Sequence, residues 1–276
     1  MRSTTTRLTA ALLLTLGLAT AAAACNEVEA SADDTTDAVA VSTAALEAES
    51  DGMALGSLAF PAGALVGQLP ATAQERVDAF KAWVAARLTC ADATASGGVV
   101  DLTFTRDCTW AGKRWTGTIQ IAFPANGTSA TLTMSGLNVN GATMSGTLEV
   151  VKVADQHVTL AADWTTVRPS GRVVEGAWDA EYSWTDAAFT IVAATHELDV
   201  DGATSTLTKT GLTWLYGDYA PESGTVTFTG FRGRTWSMVF GRDASGQITV
   251  TLTTPNGRTR THTVDATGRV RIATAA

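Results

Sequence analysis

From Val99 onward, apolar and polar residues alternate with a period of two. That spacing puts successive side chains on opposite faces of a strand. Val100, Leu102 and Phe104 alternate with Asp101, Thr103 and Thr105. Trp115, Ile119, Ile121 and Phe123 alternate with Thr116, Thr118 and Gln120. The pattern returns at Val158-Leu160-Ala162-Trp164, Val174-Trp178-Tyr182-Trp184, Val226-Phe228, Trp236-Met238-Phe240 and Ile248-Val250-Leu252. Turn dipeptides separate the runs: Asn126-Gly127, Asn140-Gly141, Ser170-Gly171, Asp201-Gly202, Ser245-Gly246 and Asn256-Gly257. About a dozen strands joined by short loops are predicted, arranged as a long antiparallel up-and-down meander.

One segment breaks this period. Residues 71–89 place Ala73, Val77, Phe80, Val84 and Leu88 on one helical face, with Glu75, Arg76, Asp78 and Lys81 mostly away from it. Pro70 precedes them, and Thr72 with Glu75 has capping-box spacing. The expected fold is all-β with this one N-terminal amphipathic helix. Each strand is apolar on one face and Thr-rich on the other, and a sheet of many strands must curl, close or fold over to cover its apolar face. A barrel or half-barrel with the helix on its concave side is expected, and a two-sheet sandwich is the alternative.

Composition supports the β reading. The 276 residues are 45% hydrophobic, and Thr and Gly are abundant. The formal charge of −8 is unevenly placed. Residues 26–54 hold eight acids and no base, whereas residues 231–276 hold seven Arg against Asp243 and Asp265. A net acidic chain without a basic block argues against nucleic-acid binding.

The N-terminal region changes the picture most. Arg2 and Arg7 precede an apolar run from Leu8 to Leu18, too short to span a bilayer, and small residues from Ala19 lead to Cys25. The string Ala22-Ala23-Ala24-Cys25 resembles a lipobox, the site where lipoprotein signal peptidase cuts before a diacylated Cys, with Ala22 where that pattern usually carries Leu. The resemblance implies a signal peptide over 1–24 and a Cys25 carrying lipid such as palmitate. The chain's other cysteines, Cys90 and Cys108, are then an even pair in an oxidising compartment and are expected to form a disulfide stapling helix to sheet. Residues 25–54 read as a disordered acidic tether spanning about 30 Å. Residues 55–276 read as a single β-rich domain. A second resemblance lies in Asp101-Leu-Thr-Phe-Thr-Arg-Asp-Cys108 followed by Gly112-Lys-Arg-Trp-Thr-Gly117-Thr-Ile-Gln-Ile-Ala-Phe123. It is similar to a strand–Cys–turn–strand pattern in secreted bacterial lipoproteins of unassigned function, and it carries over no catalytic residue.

The motifs of Ser hydrolases, zinc proteases and phosphate-binding loops are missing from the sequence. No catalytic residue, cofactor or metal is assigned. Glu175, Asp179 and Glu181 share one face of a strand, opposite Val174, Trp178, Tyr182 and Trp184, and read as a solvated face. Glu197, Asp199 and Asp201 alternate before Gly202 and are weak candidates for Ca²⁺. If Asn256-Gly257 forms a two-residue turn, Arg260 faces Thr253 and His262 faces Thr251, which puts Arg258, Arg260 and His262 on the solvent face. Most of the eight Trp fall at core positions, and Trp110 is the one expected in an exposed turn.

These readings lead to a non-catalytic binding or structural lipoprotein of the bacterial cell envelope. Its expected partner is the membrane through the lipid anchor, with the body on the periplasmic or surface side of the outer membrane. Two alternatives stay open: a carrier of an apolar ligand in a half-barrel cavity, and a hydrolase whose site is assembled from separate strands.

Overall fold

In the computed structural model the described residues are 72–271, apart from 111–112, 126, 201, 217–219, 231 and 265–269. The expected signal peptide, Cys25, the tether and the start of the body lie outside them. They contain one helix, α1 (Ala73–Arg87), and fourteen strands. The strands are β1 (Ala91–Ser96), β2 (Val99–Trp110), β3 (Lys113–Ala122), β4 (Ser129–Val139), β5 (Ala142–Ala154), β6 (His157–Val167) and β7 (Val173–Trp184). They continue with β8 (Ala188–Val200), β9 (Ala203–Leu215), β10 (Ser223–Thr229), β11 (Thr235–Arg242), β12 (Ile248–Thr253), β13 (Thr259–Val264) and β14 (Val270–Arg271). They form one sheet in strict chain order, with β1 and β14 as its ends. The chain is therefore an all-β up-and-down meander, and its single sheet is not closed by pairing of the first and last strands. No described helix is long and apolar enough to cross a membrane.

The helix is shorter than the 71–89 expected. Thr72 caps it, its hydroxyl accepting from the Glu75 N–H while the Glu75 carboxylate accepts from the Thr72 N–H. Once the cap satisfies these first donors, the helix can begin only after it. At the other end Leu88 leaves helical geometry, and Cys90 already lies in the turn to β1. The apolar stripe is as the sequence spacing indicates, with Val77, Phe80, Val84 and Leu88 at most 2% exposed. Arg76 departs from the expectation that it points away. It is 1% exposed, and its Nη2 donates to the carbonyl of Pro124 at 2.5 Å. The bare backbone of Gly127 leaves room for its guanidinium, since a Cβ there would fall 2.8 Å from Nη1.

The described part divides into two compact units, one within Glu47–Glu181 and His196–Ala203, the other within Tyr182–Thr195 and Thr204–Ala276. In the first unit α1 packs on β1 and β2, and the Phe80 ring meets Phe123 at 5.9 Å. Val100, Leu102, Phe104, Trp115, Ile119, Ile121, Leu132, Met144 and Leu148 are all buried on one face. Their partners in sequence, mostly Thr and charged residues, lie on the other. There the hydroxyls of Thr103 and Thr118 are 3.0 Å apart.

Cys90 and Cys108 form a disulfide, with Cα atoms 5.1 Å apart. Cys108 lies within β2, opposite Trp115, and Cys90 sits in the turn before β1. The bond therefore ties the helix–β1 turn to the second strand, beside the backbone bond from the Thr105 N–H to the Cys90 carbonyl. The separation of 18 residues makes this a short loop, worth about 3 kcal/mol in the chain-entropy treatment. Urea denaturation with and without a thiol reductant is expected to show a loss of that order. Unchanged stability after verified reduction would contradict it.

Candidate ligand-binding faces

In the first unit, three neighbouring strands bring an unusual set onto the apolar face. Trp164 on β6 pairs with Gly146 on β5, and Thr166 pairs with Met144. On β7, Gly176 occupies an apolar-face position, and a Cβ there would overlap the Trp164 indole. The ring thus lies flat on bare backbone, which is the close approach that a glycine inside a strand permits. Trp178, two residues on, stacks on His196 of β8 with centroids 4.9 Å apart.

These groups are deeply buried: Thr166 is 0%, His196 1%, Trp164 3% and Trp178 3% exposed. The Trp164 indole N–H and the Thr166 hydroxyl have no hydrogen-bond partner among the described residues. Leaving such a group unpaired in an apolar setting costs about 1–3 kcal/mol. The face therefore holds two unpartnered polar groups within apolar and aromatic packing.

The second unit presents a different surface. Register places residues in rows across β9 to β13. Lys209, Val226, Met238, Leu252 and Arg260 form one row, and Phe240, Val250 and His262 form another. Phe228 pairs with Trp236, their rings 5.7 Å apart. Val226 and Val250 are buried, while Phe228, Trp236, Met238, Phe240 and Leu252 stay partly exposed. The opposite face is almost entirely Thr and Ser, from Thr225, Thr227 and Thr229 to Thr259, Thr261 and Thr263.

This register corrects the expectation for Arg258, Arg260 and His262. Arg260 faces Leu252, not Thr253, and His262 faces Val250, not Thr251. The loop holds three residues, Pro255, Asn256 and Gly257, closed by bonds from the Thr254 N–H to the Arg258 carbonyl and from the Gly257 N–H to the Thr254 carbonyl. Pro255 fixes a φ that suits the first position of an ordinary type I turn, and Gly257 takes the left-handed position after it at φ 78°. One extra loop residue moves every β13 side chain to the other face. Arg260 and His262 therefore share the apolar side of β12.

Glu175 and Asp179 are exposed, opposite the buried Val174 and Trp178, as strand alternation requires. Glu181 has a partner that the sequence did not reveal: His157 Nε2 lies 2.7 Å from its carboxylate, on the neighbouring strand. Asp199 accepts from the Gly202 N–H at 2.7 Å and so closes the β8–β9 turn. Glu197 is exposed, and Asp201 lies outside the described residues. Among the described residues no group of three His, Cys, Asp or Glu is placed to hold a metal ion. Trp110 is not in a turn but ends β2, with its ring 5.8 Å from that of Trp115, whose Nε1 donates to the Trp110 carbonyl.

No family model, curated protein or solved structure matches this chain. Its chemistry must therefore be read from its own residues. Of the groups just described, Thr166, Gly176 and His196 were not singled out by sequence reasoning. A glycine at an apolar-face position of a strand, between Val174 and Trp178, was the available signal.

The two faces of β7 give a paired test. Gly176→Ala is expected to cost about 1–3 kcal/mol, because the Trp164 indole must leave its place. Asp179→Asn is expected to stay within about 0.5 kcal/mol, as for most exposed positions. Equal effects in chemical denaturation would contradict the assignment of faces.

Proposed function

We propose that this chain is an exported, lipid-anchored protein of the bacterial cell envelope that acts by binding. The observation that carries the proposal is the Cys90–Cys108 disulfide. Disulfides form and persist in oxidising compartments. This one also leaves Cys25 as the remaining cysteine of the three, at the end of a small-residue run that follows an apolar segment. The partner proposed is the membrane, reached through lipid on Cys25, with the body on the periplasmic or surface side of the outer membrane. The acidic stretch 25–54 then serves as spacer.

A second reading has its own support. The Trp164 N–H and the Thr166 hydroxyl are buried without partners on an apolar face. They suit a ligand with an apolar body and one or two acceptors, so the binding role takes the form of carrying such a molecule. Thr166→Val removes one handle. It is expected to raise the stability of the ligand-free protein by about 1 kcal/mol and to reduce the ligand retained in native mass spectrometry of protein purified from its own cells. Lower stability with unchanged retention would contradict the carrier reading.

The anchor is tested by Cys25→Ala. The wild-type chain should partition with membranes and take up radiolabelled palmitate, and the variant should appear in the soluble fraction unlabelled. A variant that stays with the membrane, or an intact mass showing unmodified Cys25 in the wild type, would defeat the proposal.

A further inference from the structure

We propose that the apolar face of β10–β13 binds a single-chain anionic amphiphile, its carboxylate held by Arg260 and its alkyl chain laid across Leu252, Met238 and Phe240. The strands from β9 to β13 contain no Asp or Glu. Their ionisable residues are Lys209, Arg242, Arg260 and His262, and register puts all of them on the apolar face. The Thr and Ser face of the same strands carries none. Charge on a solvated sheet normally sits on the polar side, so the inversion asks what anion the apolar side meets. Arg242 donates to the Glu222 carboxylate and to the Gly246 carbonyl, and Lys209 is engaged as well. Arg260 is exposed, and its side chain makes no hydrogen bond or ion pair among the described residues. Two residues on, His262 is half-buried, with its Nδ1 buried and without a hydrogen-bond partner. The carboxylates of β8, Glu197 and Asp199, alternate with the buried His196, Leu198 and Val200 and so lie on the polar side of their strand.

The tail of such a ligand has a track to follow. From Arg260 one row runs through Leu252 and Met238 to Val226, and from His262 another runs through Val250 to Phe240. Leu252, Met238 and Phe240 stay partly exposed, and so do Phe228 and Trp236 on the same face. Three strand spacings cover about 14 Å, the reach of a dodecyl chain. A cation at the end of an apolar track suits a fatty-acid carboxylate. The guanidinium makes charge-assisted hydrogen bonds to the head, and the track removes the tail from water. An inorganic anion would use Arg260 and not the track, and a neutral apolar molecule would use the track and not Arg260. The site shares no residue with Trp164 and Thr166, so it stands or falls without them.

Equilibrium dialysis of the exported Cys25→Ala chain, which carries no acyl chain of its own, tests this with radiolabelled dodecanoate below its micelle concentration. One saturable site is expected, with dodecanol bound about tenfold more weakly. Arg260→Gln should weaken dodecanoate about tenfold and leave dodecanol unchanged. Arg260 is exposed, so this variant keeps the fold, which circular dichroism verifies. Arg172→Gln, in the β6–β7 connection, should change neither ligand. A diazirine-bearing dodecanoate should label peptides covering β10–β12. The proposal is overturned by no saturable binding, by dodecanol held as tightly as dodecanoate, by unchanged affinity in Arg260→Gln, by an equal loss in Arg172→Gln, or by label confined to the first unit. A dimer in sedimentation equilibrium whose dissociation frees the site would give the face to a second copy of the chain and overturn it too. Tighter binding after deletion of residues 26–54 would do the same by giving the face to that acidic stretch.

Discussion

A meander of antiparallel strands depends on one constraint. Each connection must return the chain in the register that keeps apolar side chains together, because a slip of one residue exchanges the two faces. Seven of this chain's connections meet it with two kinds of loop. Gly97-Gly98, Asn140-Gly141 and Asp155-Gln156 are two-residue turns, between the pairs Ser96–Val99, Val139–Ala142 and Ala154–His157. The β6–β7, β10–β11, β11–β12 and β12–β13 connections each hold three residues, closed by the same pair of backbone bonds. Asn140 and Gly141 both have positive φ, 53° and 88°, which is what the tighter turn demands. The alternation of every later strand is correct only because each loop has the right number of residues.

That constraint also explains what could be read from the sequence. Alternation is local, so most strands and the buried faces of Val100-Leu102-Phe104 or Val158-Leu160-Ala162-Trp164 were legible. The helix was legible for the same reason, since its stripe and its cap both lie within one segment. Loop length was less so. Asn-Gly reads as a two-residue turn at both Asn140 and Asn256, but Pro255 before the second changes its geometry, and that one residue decides which face carries Arg260 and His262. The strand β1 was missed because Ala91–Ser96 offers small residues and no strong alternation. Arg76 was misplaced because its partner, the Pro124 carbonyl, lies 48 residues away, and no periodicity encodes such a contact.

The candidate ligand-binding face was the least legible part, for a related reason. Eight Trp in a β-rich chain are best explained as core packing, and four of them, Trp115, Trp164, Trp178 and Trp214, are buried. What distinguishes Trp164 is the absence of a partner for its N–H together with a glycine on the neighbouring strand that accepts its ring. Both are properties of strand pairing and not of any one segment. An apolar residue at position 166 would suit a purely structural face better than Thr. A buried hydroxyl without a partner lowers stability, and it persists most readily where binding compensates for that loss.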